Sequence, residues 1–248
     1  MATAAADVEA IERATAAAVT PREVLEIGDW LVTLDPGTIR RANSAVPLRH
    51  GLRCDVAVLD EIEAAYAARD LKPAFRIADA PGLEDIRNEL ARRGYLSEQP
   101  TLVKTGAALD MIAGAHGEPA PVERAPGPGW AAVFTSEGFD PADGANRVAA
   151  LTRSADAVYG GISEGERTIA VGVAAFGHGW ASVHGMRTDL ARRGEGLAGR
   201  VLAGLGAAAQ ARGIGRVFLQ VEEGNAGARS LYRGVGFERA WRYLYWSR

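Results

Sequence analysis

From Trp180 to Val221 the chain reads as strand, Arg/Gly-rich loop, helix and strand, and this order constrains the fold more than any other stretch. Alternation over Trp180 to Met186 predicts the first strand, and TDLARR supplies the loop. An unbroken Ala- and Leu-rich run from about Gly194 to Arg212 predicts the helix, with Leu197, Val201, Leu205 and Ala208 on one face. Val217 to Val221 predicts the second strand. A glycine loop opening into a helix brings free backbone N–H groups and the positive end of the helix dipole to one point, where an anion can bind. Taken alone, Gly194-Glu195-Gly196 fits a structural turn as well as a phosphate cradle. The dinucleotide fingerprint is incomplete, because Glu222 and Glu223 after the next strand read as solvated, and a nucleotide-binding module is disfavoured.

Composition bounds the rest. The 248 residues suffice for one large or two modest domains, and 48% hydrophobic with 24% charged residues marks a globular chain. A net charge of −3 gives no global basic surface for nucleic acid, so any anion site is local. Cys54 stands alone, which excludes an internal disulfide, and with His50 it lacks a second pair for zinc; no metal is expected and Cys54 reads as a small core residue. MATAAADVEAIERAT carries acids inside its apolar stretch, with no basic leader, and no later run reaches spanning length. The expectation is a cytoplasmic protein with neither a nucleic-acid nor a membrane partner.

The stretch Ala113 to Gly129 contains four prolines and no apolar periodicity, which predicts a linker (113–129) between residues 1–112 and 130–248. Ahead of it, helices are expected over Val8 to Ala18, Val56 to Arg69 and Leu83 to Arg93, and strands over Val24 to Leu34, Thr38 to Ala45 and Ala74 to Ala78. Behind it, strands are expected over Trp130 to Thr135, Ala155 to Ile162 and Thr168 to Phe176, the last joined to Trp180 by a Gly-His-Gly turn. Pro141 to Thr152 predicts a helix with Asp140 as N-cap.

Downstream lies FLQVEEGNAGARSLYRGVGF, Phe218 to Phe237, with Asn225, Ala228, Leu231, Tyr232, Gly236 and Phe237 in the pattern N-x-x-A-x-x-L-Y-x-x-x-G-F. Together with the R-x-G-x-G loop of Arg192, Gly194 and Gly196, this resembles the GNAT superfamily of acetyl-CoA-dependent N-acetyltransferases over the last third to half of the chain. The resemblance implies an α/β (α+β) fold with a mixed, mostly antiparallel sheet flanked by helices. It also implies acetyl-CoA as acyl donor and a primary amine as acceptor. Carried over, the pyrophosphate falls to Arg192, Arg193, Gly194, Glu195, Gly196, Leu197 and Ala198, and the pantetheine arm to Met186 and Thr188. Asn225 would bind that arm or hold splayed strands, and Tyr232 would protonate the leaving thiolate, since a phenol stays protonated up to about pH 10. Packing on the helix face is the alternative for Tyr232.

Family members commonly place a carboxylate base on the strand before the loop, and GWASVHGMR has none. His184 is the candidate base, with His178 on the same face if no bulge intervenes, and Glu137 and Asp140 are further choices. Ala191 replaces the usual Gln or Arg, and Glu195 a usually apolar residue. An ungapped overlay of residues 49–77 on 192–220 matches Gly51 with Gly194, Arg69 with Arg212 and Phe75 with Phe218, which reads as an internal repeat. Its first copy has Arg53 at the position of Gly196, Gly82 at that of Asn225 and, with one gap, Ala91 at that of Tyr232, so the reading is a tandem of two related domains whose N-terminal member is degenerate. An acyl-CoA-binding sensor or regulatory pseudo-acetyltransferase without turnover is the alternative function. The acceptor is open among small amines, amino acids, antibiotics and protein lysines. Trp241, Tyr243, Tyr245 and Trp246 could line its cleft, Arg239 and Arg242 could favour an acidic one, and the terminal strand could pair across a homodimer.

Overall fold

The computed structural model describes residues 5–136, 138 and 140–248. In its first part α1 (Ala5–Val19) precedes the hairpin β1 (Glu23–Ile27) and β2 (Trp30–Leu34), then β3 (Ala45–Pro47), α2 (Val56–Ala67), β4 (Ala74–Ala78), α3 (Glu84–Arg92), β5 (Leu96–Ala107) and α4 (Ala108–Ala113). There follow β6 (Val122–Glu123), α5 (Pro128–Ala132), α6 (Pro141–Leu151), β7 (Ala157–Glu164), β8 (Arg167–Gly177) and β9 (Trp180–Thr188). The chain closes with α7 (Leu197–Ala211), β10 (Arg216–Glu222), α8 (Ala226–Gly234) and β11 (Glu238–Ser247).

All eleven strands join one mixed, mostly antiparallel sheet in the order β1-β2-β3-β4-β11-β5-β10-β9-β8-β7-β6. Read inward from the left, β3 runs parallel to β4, and β4 is antiparallel to β11. From the right, β9 runs parallel to β10, and β10 is antiparallel to β5. The long strands β5 and β11 pair with each other at the centre. Each half therefore repeats strand, helix, parallel strand, helix, strand, and each sends its last strand into the neighbour's sheet. Phe75 on β4 and Phe218 on β10, matched in the sequence overlay, are both fully buried at corresponding places.

The two sheet ends bury separate cores. Around β4, Ile62, Tyr66, Phe75, Tyr95 and Trp241 pack together, whereas Val201, Leu202 and Leu205 of α7 pack on β8 and β10 with Leu219 and Phe237. Full burial of each such side chain contributes about 1.5–3 kcal/mol. Helix α1 bridges the halves: its Glu12 meets Arg76 of β4 at 2.6 Å in a pair closed to solvent, while Thr15 accepts a hydrogen bond from Gln220 Nε2 of β10 at 3.0 Å.

Several expectations are corrected. Trp130 to Thr135 is α5 followed by a 3-10 turn, not a strand, because Pro128 opens a helix and Trp130 packs edge-on against Tyr159. Val24 to Leu34 is a hairpin rather than one strand, and Thr38 to Ala45 is mostly a 3-10 turn ending in β3. Strand β5 had no sequence expectation, yet it holds the centre of the sheet. Because β11 is paired on both sides, the terminal strand has no free edge for a homodimer. Cys54 is half-buried at the rim of the first core. Among the described residues no helix is long and apolar enough to cross a membrane.

Candidate active site

Strands β9 and β10 pair only at Ala181, Ser182 and Val183 with Val217, Phe218 and Leu219, and beyond these residues they separate. The separation has a local cause. Against β8, His184 pairs with Val173 and Arg187 with Val171, so Gly185 and Met186 both face Gly172 as a bulge. Gly185 adopts φ +58°, a conformation that leaves the bulge to glycine. The β8–β9 ladder is interrupted at Gly185 and Met186, and Met186 lines the opening between the strands.

On one side of the opening lies a groove of about 610 Å³. Its walls include Met186, Thr188, Arg192, Arg193, Gly194 and Gly196, followed by Leu197 and Ala198 at the start of α7, with Asn225 and Tyr232 opposite. Gly196 is the residue before the helix, with φ +77°, and its carbonyl accepts the first helical bond from Arg200 N at 3.2 Å. A Cβ at Gly194 or Gly196 would meet no protein atom within 4 Å, so the protein's own packing does not demand glycine there. Glu195 turns away from this groove onto Arg192, whose Nη2 it receives at 2.7 Å. Arg192 also pairs with Glu164, and the two carboxylates raise its pKa while Arg192 lowers theirs. Arg192 and Arg193 both line the groove; Arg192 is engaged by carboxylates, and Arg193 is exposed.

Tyr232 is 7% exposed, packs edge-on against Phe237, and lines both this groove and a second cavity. Burial raises its pKa to about 12, against a smaller lowering by Arg41, so the phenol keeps its proton. Asn225 caps α8, its Oδ1 accepting from Ala228 N at 3.0 Å, which leaves its amide nitrogen to the groove.

The second cavity, about 340 Å³, lies across Tyr232 and shares Met186, Arg187, Asn225 and Ala228 with the groove. His184 lines it but is 4% exposed, with Nε2 lacking a hydrogen-bond partner, and burial with the Arg41 charge pushes its pKa down to about 3. Such an imidazole is neutral yet too weakly basic for the general-base role expected of it. His178 is not beside it: it sits in the β8–β9 turn at φ +51°, far from the bulge, near Arg13 and Val24. Asp140 caps α6 through Ala142 N at 2.8 Å, and Glu137 lies outside the described residues.

The cavity also draws in Arg41 and Gln99, which sequence reading passed over, and Glu222, which it took as solvated. Arg41 enters from the 3-10 turn Arg40–Ala42 of the first half, and Glu222 from the end of β10. Gln99 donates to Glu222 Oε1 at 2.7 Å and accepts from Arg40 at 2.9 Å, and Arg40 lies 4.1 Å above the Tyr245 ring. Tyr243 donates to Gln220 Oε1 at 2.8 Å, and both tyrosines line the wall. Trp241 and Trp246 instead join the first core, and Arg242 is held by Asp79 and Glu223, at 2.9 and 3.0 Å. In the first half the corresponding groove is shut: a Cβ on Gly82 would stand 2.3 Å from the His50 carbonyl oxygen, and the His50 ring packs on Trp241.

A family profile described as "Probable histone acetyltransferase Rv0428c C-terminal" matches residues 5–246. The probable histone acetyltransferase Rv0428c of Mycobacterium tuberculosis is 38% identical over 74 residues, 30% of this chain and 24% of that protein, so the match spans about a quarter of the relative. A GCN5-related N-acetyltransferase from Kribbella flavida superposes with a TM-score of 0.70 at 20% identity, over 100% of this chain and 96% of that one. A tandem GNAT protein from the clavulanic acid biosynthesis pathway gives 0.62 at 12% identity, over 98% and 95%. At these identities the two structures speak to the fold.

Proposed function

The chain belongs to the family of the probable histone acetyltransferase Rv0428c C-terminal region and has the GNAT fold, and on that premise we propose that it transfers the acetyl group of acetyl-CoA to a primary amine. The observation that carries this reading is the meeting of groove and polar cavity at Tyr232. A donor in the groove would have its diphosphate at the main-chain N–H groups before α7, with Arg193 adding charge, and its thioester near the Met186 bulge. The amine nitrogen would form a bond to the thioester carbon as the C–S bond breaks. An N–H at the bulge would meet the charge growing on the carbonyl oxygen, and the Tyr232 hydroxyl would give its proton to the departing sulfur.

The amine must first lose a proton. Glu222 is the carboxylate on the cavity wall, fixed by Gln99, and we assign it that role in place of His184. Residues 130–248 then hold the donor, whereas residues 1–112 serve as a degenerate partner that completes the cavity. The linking segment is 113–129.

The test is calorimetric titration of acetyl-CoA into wild type and Tyr232→Phe, followed by thiol release against mixed amines. Binding by both with release only by wild type supports the transferase. Binding without release from any amine supports the sensor reading, and no binding refutes both.

A further inference from the structure

Among the described residues, the charged groups on the cavity wall are three guanidiniums, Arg41, Arg147 and Arg187, and one carboxylate, Glu222. Their partners are unequally shared. Arg147 gives Nε to Asp143 at 2.6 Å, and Arg187 lies 3.9 Å from the same carboxylate oxygen. Thr38 also donates to Asp143, at 2.7 Å. Arg41 differs. Among the described residues no carboxylate lies within ion-pair distance of it, and its Nε is buried without a hydrogen-bond partner. Glu12 feels its charge from farther off but is already committed to Arg76. Burial and the neighbouring arginines lower the pKa of Arg187, against a raising by Asp143.

A guanidinium held in a partly closed polar cavity offers a planar fork matched to carboxylate or phosphate oxygens. At the same wall, Glu222 offers the complementary charge to an ammonium group. We propose that the acceptor amine carries its own oxyanion, a carboxylate or a phosphate, and that Arg41 is the residue that seats it. The inference rests on the acetyl-transfer reading and deepens it, because Arg41 belongs to the half of the chain whose own groove is shut. That half thus supplies acceptor selection. A lysine within a basic peptide is the acceptor this cavity disfavours, since it would bring further cations toward Arg41 and no oxyanion for it.

The experiment uses the full chain with saturating acetyl-CoA and compares thiol release across matched amines. γ-Aminobutyrate and O-phosphoethanolamine carry the two oxyanions, ethanolamine and n-butylamine carry none, and spermidine and a lysine-rich peptide are cationic. The expected result is a kcat/KM at least tenfold higher for one oxyanion class, which also tells carboxylate from phosphate, and collapse of that preference in Arg41→Gln with partial return in Arg41→Lys. Binding is measured in parallel by titrating the same two oxyanion amines into the protein saturated with coenzyme A, where Arg41→Gln should weaken the preferred one at least tenfold. Unchanged acetyl-CoA affinity and unfolding temperature in Arg41→Gln exclude a folding defect. Preference for the neutral or cationic amines overturns the proposal, as does an oxyanion preference or binding that survives Arg41→Gln. Absence of oxyanion binding to the coenzyme complex overturns it too, whereas absence of acetyl-CoA binding refutes the transferase reading itself.

Discussion

Replacing Gly196 by alanine separates two effects that a glycine loop usually confounds. Its backbone is left-handed at φ +77°, and a Cβ there meets no protein atom within 4 Å. The folded protein would therefore feel only conformational strain, about 1–2 kcal/mol, or a fall of about 2–8 °C in unfolding temperature for a chain of this size. Gly213 provides the control: it follows the other end of α7 at φ +71°, also with open space at the Cβ position. Gly213→Ala should lower the unfolding temperature by a similar amount and leave the groove alone. In Gly196→Ala the methyl group enters the open space at the groove wall, where the donor's diphosphate is proposed to sit. Loss of one hydrogen bond to a charged ligand costs about 1.5–3 kcal/mol, a weakening of about ten- to 150-fold in acetyl-CoA affinity. Calorimetric titration of both variants reads this directly. Equal affinity in the two would refute the cradle and leave the glycines as a helix start.

Other perturbations have equally definite outcomes. Tyr232→Phe should lower thiol release about 10²-fold or more while acetyl-CoA affinity is retained. Glu222→Gln should lower kcat/KM about 10²-fold by removing the proton acceptor, read by thiol release at saturating acetyl-CoA. Glu12→Gln leaves Arg76 buried without its partner and should destabilise the fold by about 3–5 kcal/mol, read by denaturant unfolding. His184 has a folded pKa of about 3, below its unfolded value of about 6.5. The unfolded chain therefore takes up the proton first: this contribution is complete above about pH 6.5 and is lost toward pH 3, at about 1.4 kcal/mol per pH unit. His184→Gln should flatten that part of the stability curve.

The second half of the chain was legible because its information is local. Alternation in β8 and β9, the apolar face of α7 and the spacing of Asn225, Tyr232 and Phe237 each lie within a few turns of chain, and the groove assembles from them directly. Strand β5 was hidden because LSEQPTLVKTGA mixes Pro100 and charges into an irregular pattern; its pairing with β10 and β11, distant in sequence, makes it a strand. Trp130 to Phe134 misled because aromatic and branched residues suit a strand, while the decisive residue, Pro128, stood just outside the run. Arg41 carried no signal at all. Its importance follows from a turn of the first half reaching the opening between β9 and β10, and no spacing within the sequence encodes that reach. The bulge at Gly185 and Met186 likewise showed only in the register, whereas His178 is out of the site because it lies in the β8–β9 turn.

The exchange of β5 and β11 makes the two halves mutually dependent in a way that the backbone connection does not. Each central strand is hydrogen-bonded on both sides to strands of the other half, so neither half keeps a complete sheet by itself. The chain leaves β5 through α4 and enters β6 across the turn at Gly117, where no strand ladder crosses. A protease nick at that turn would sever the covalent chain without opening a single ladder, and the product would behave as a noncovalent heterodimer of two fragments. Expressed separately, the same fragments would each display three unsatisfied strand edges, and they would find each other as complementing partners.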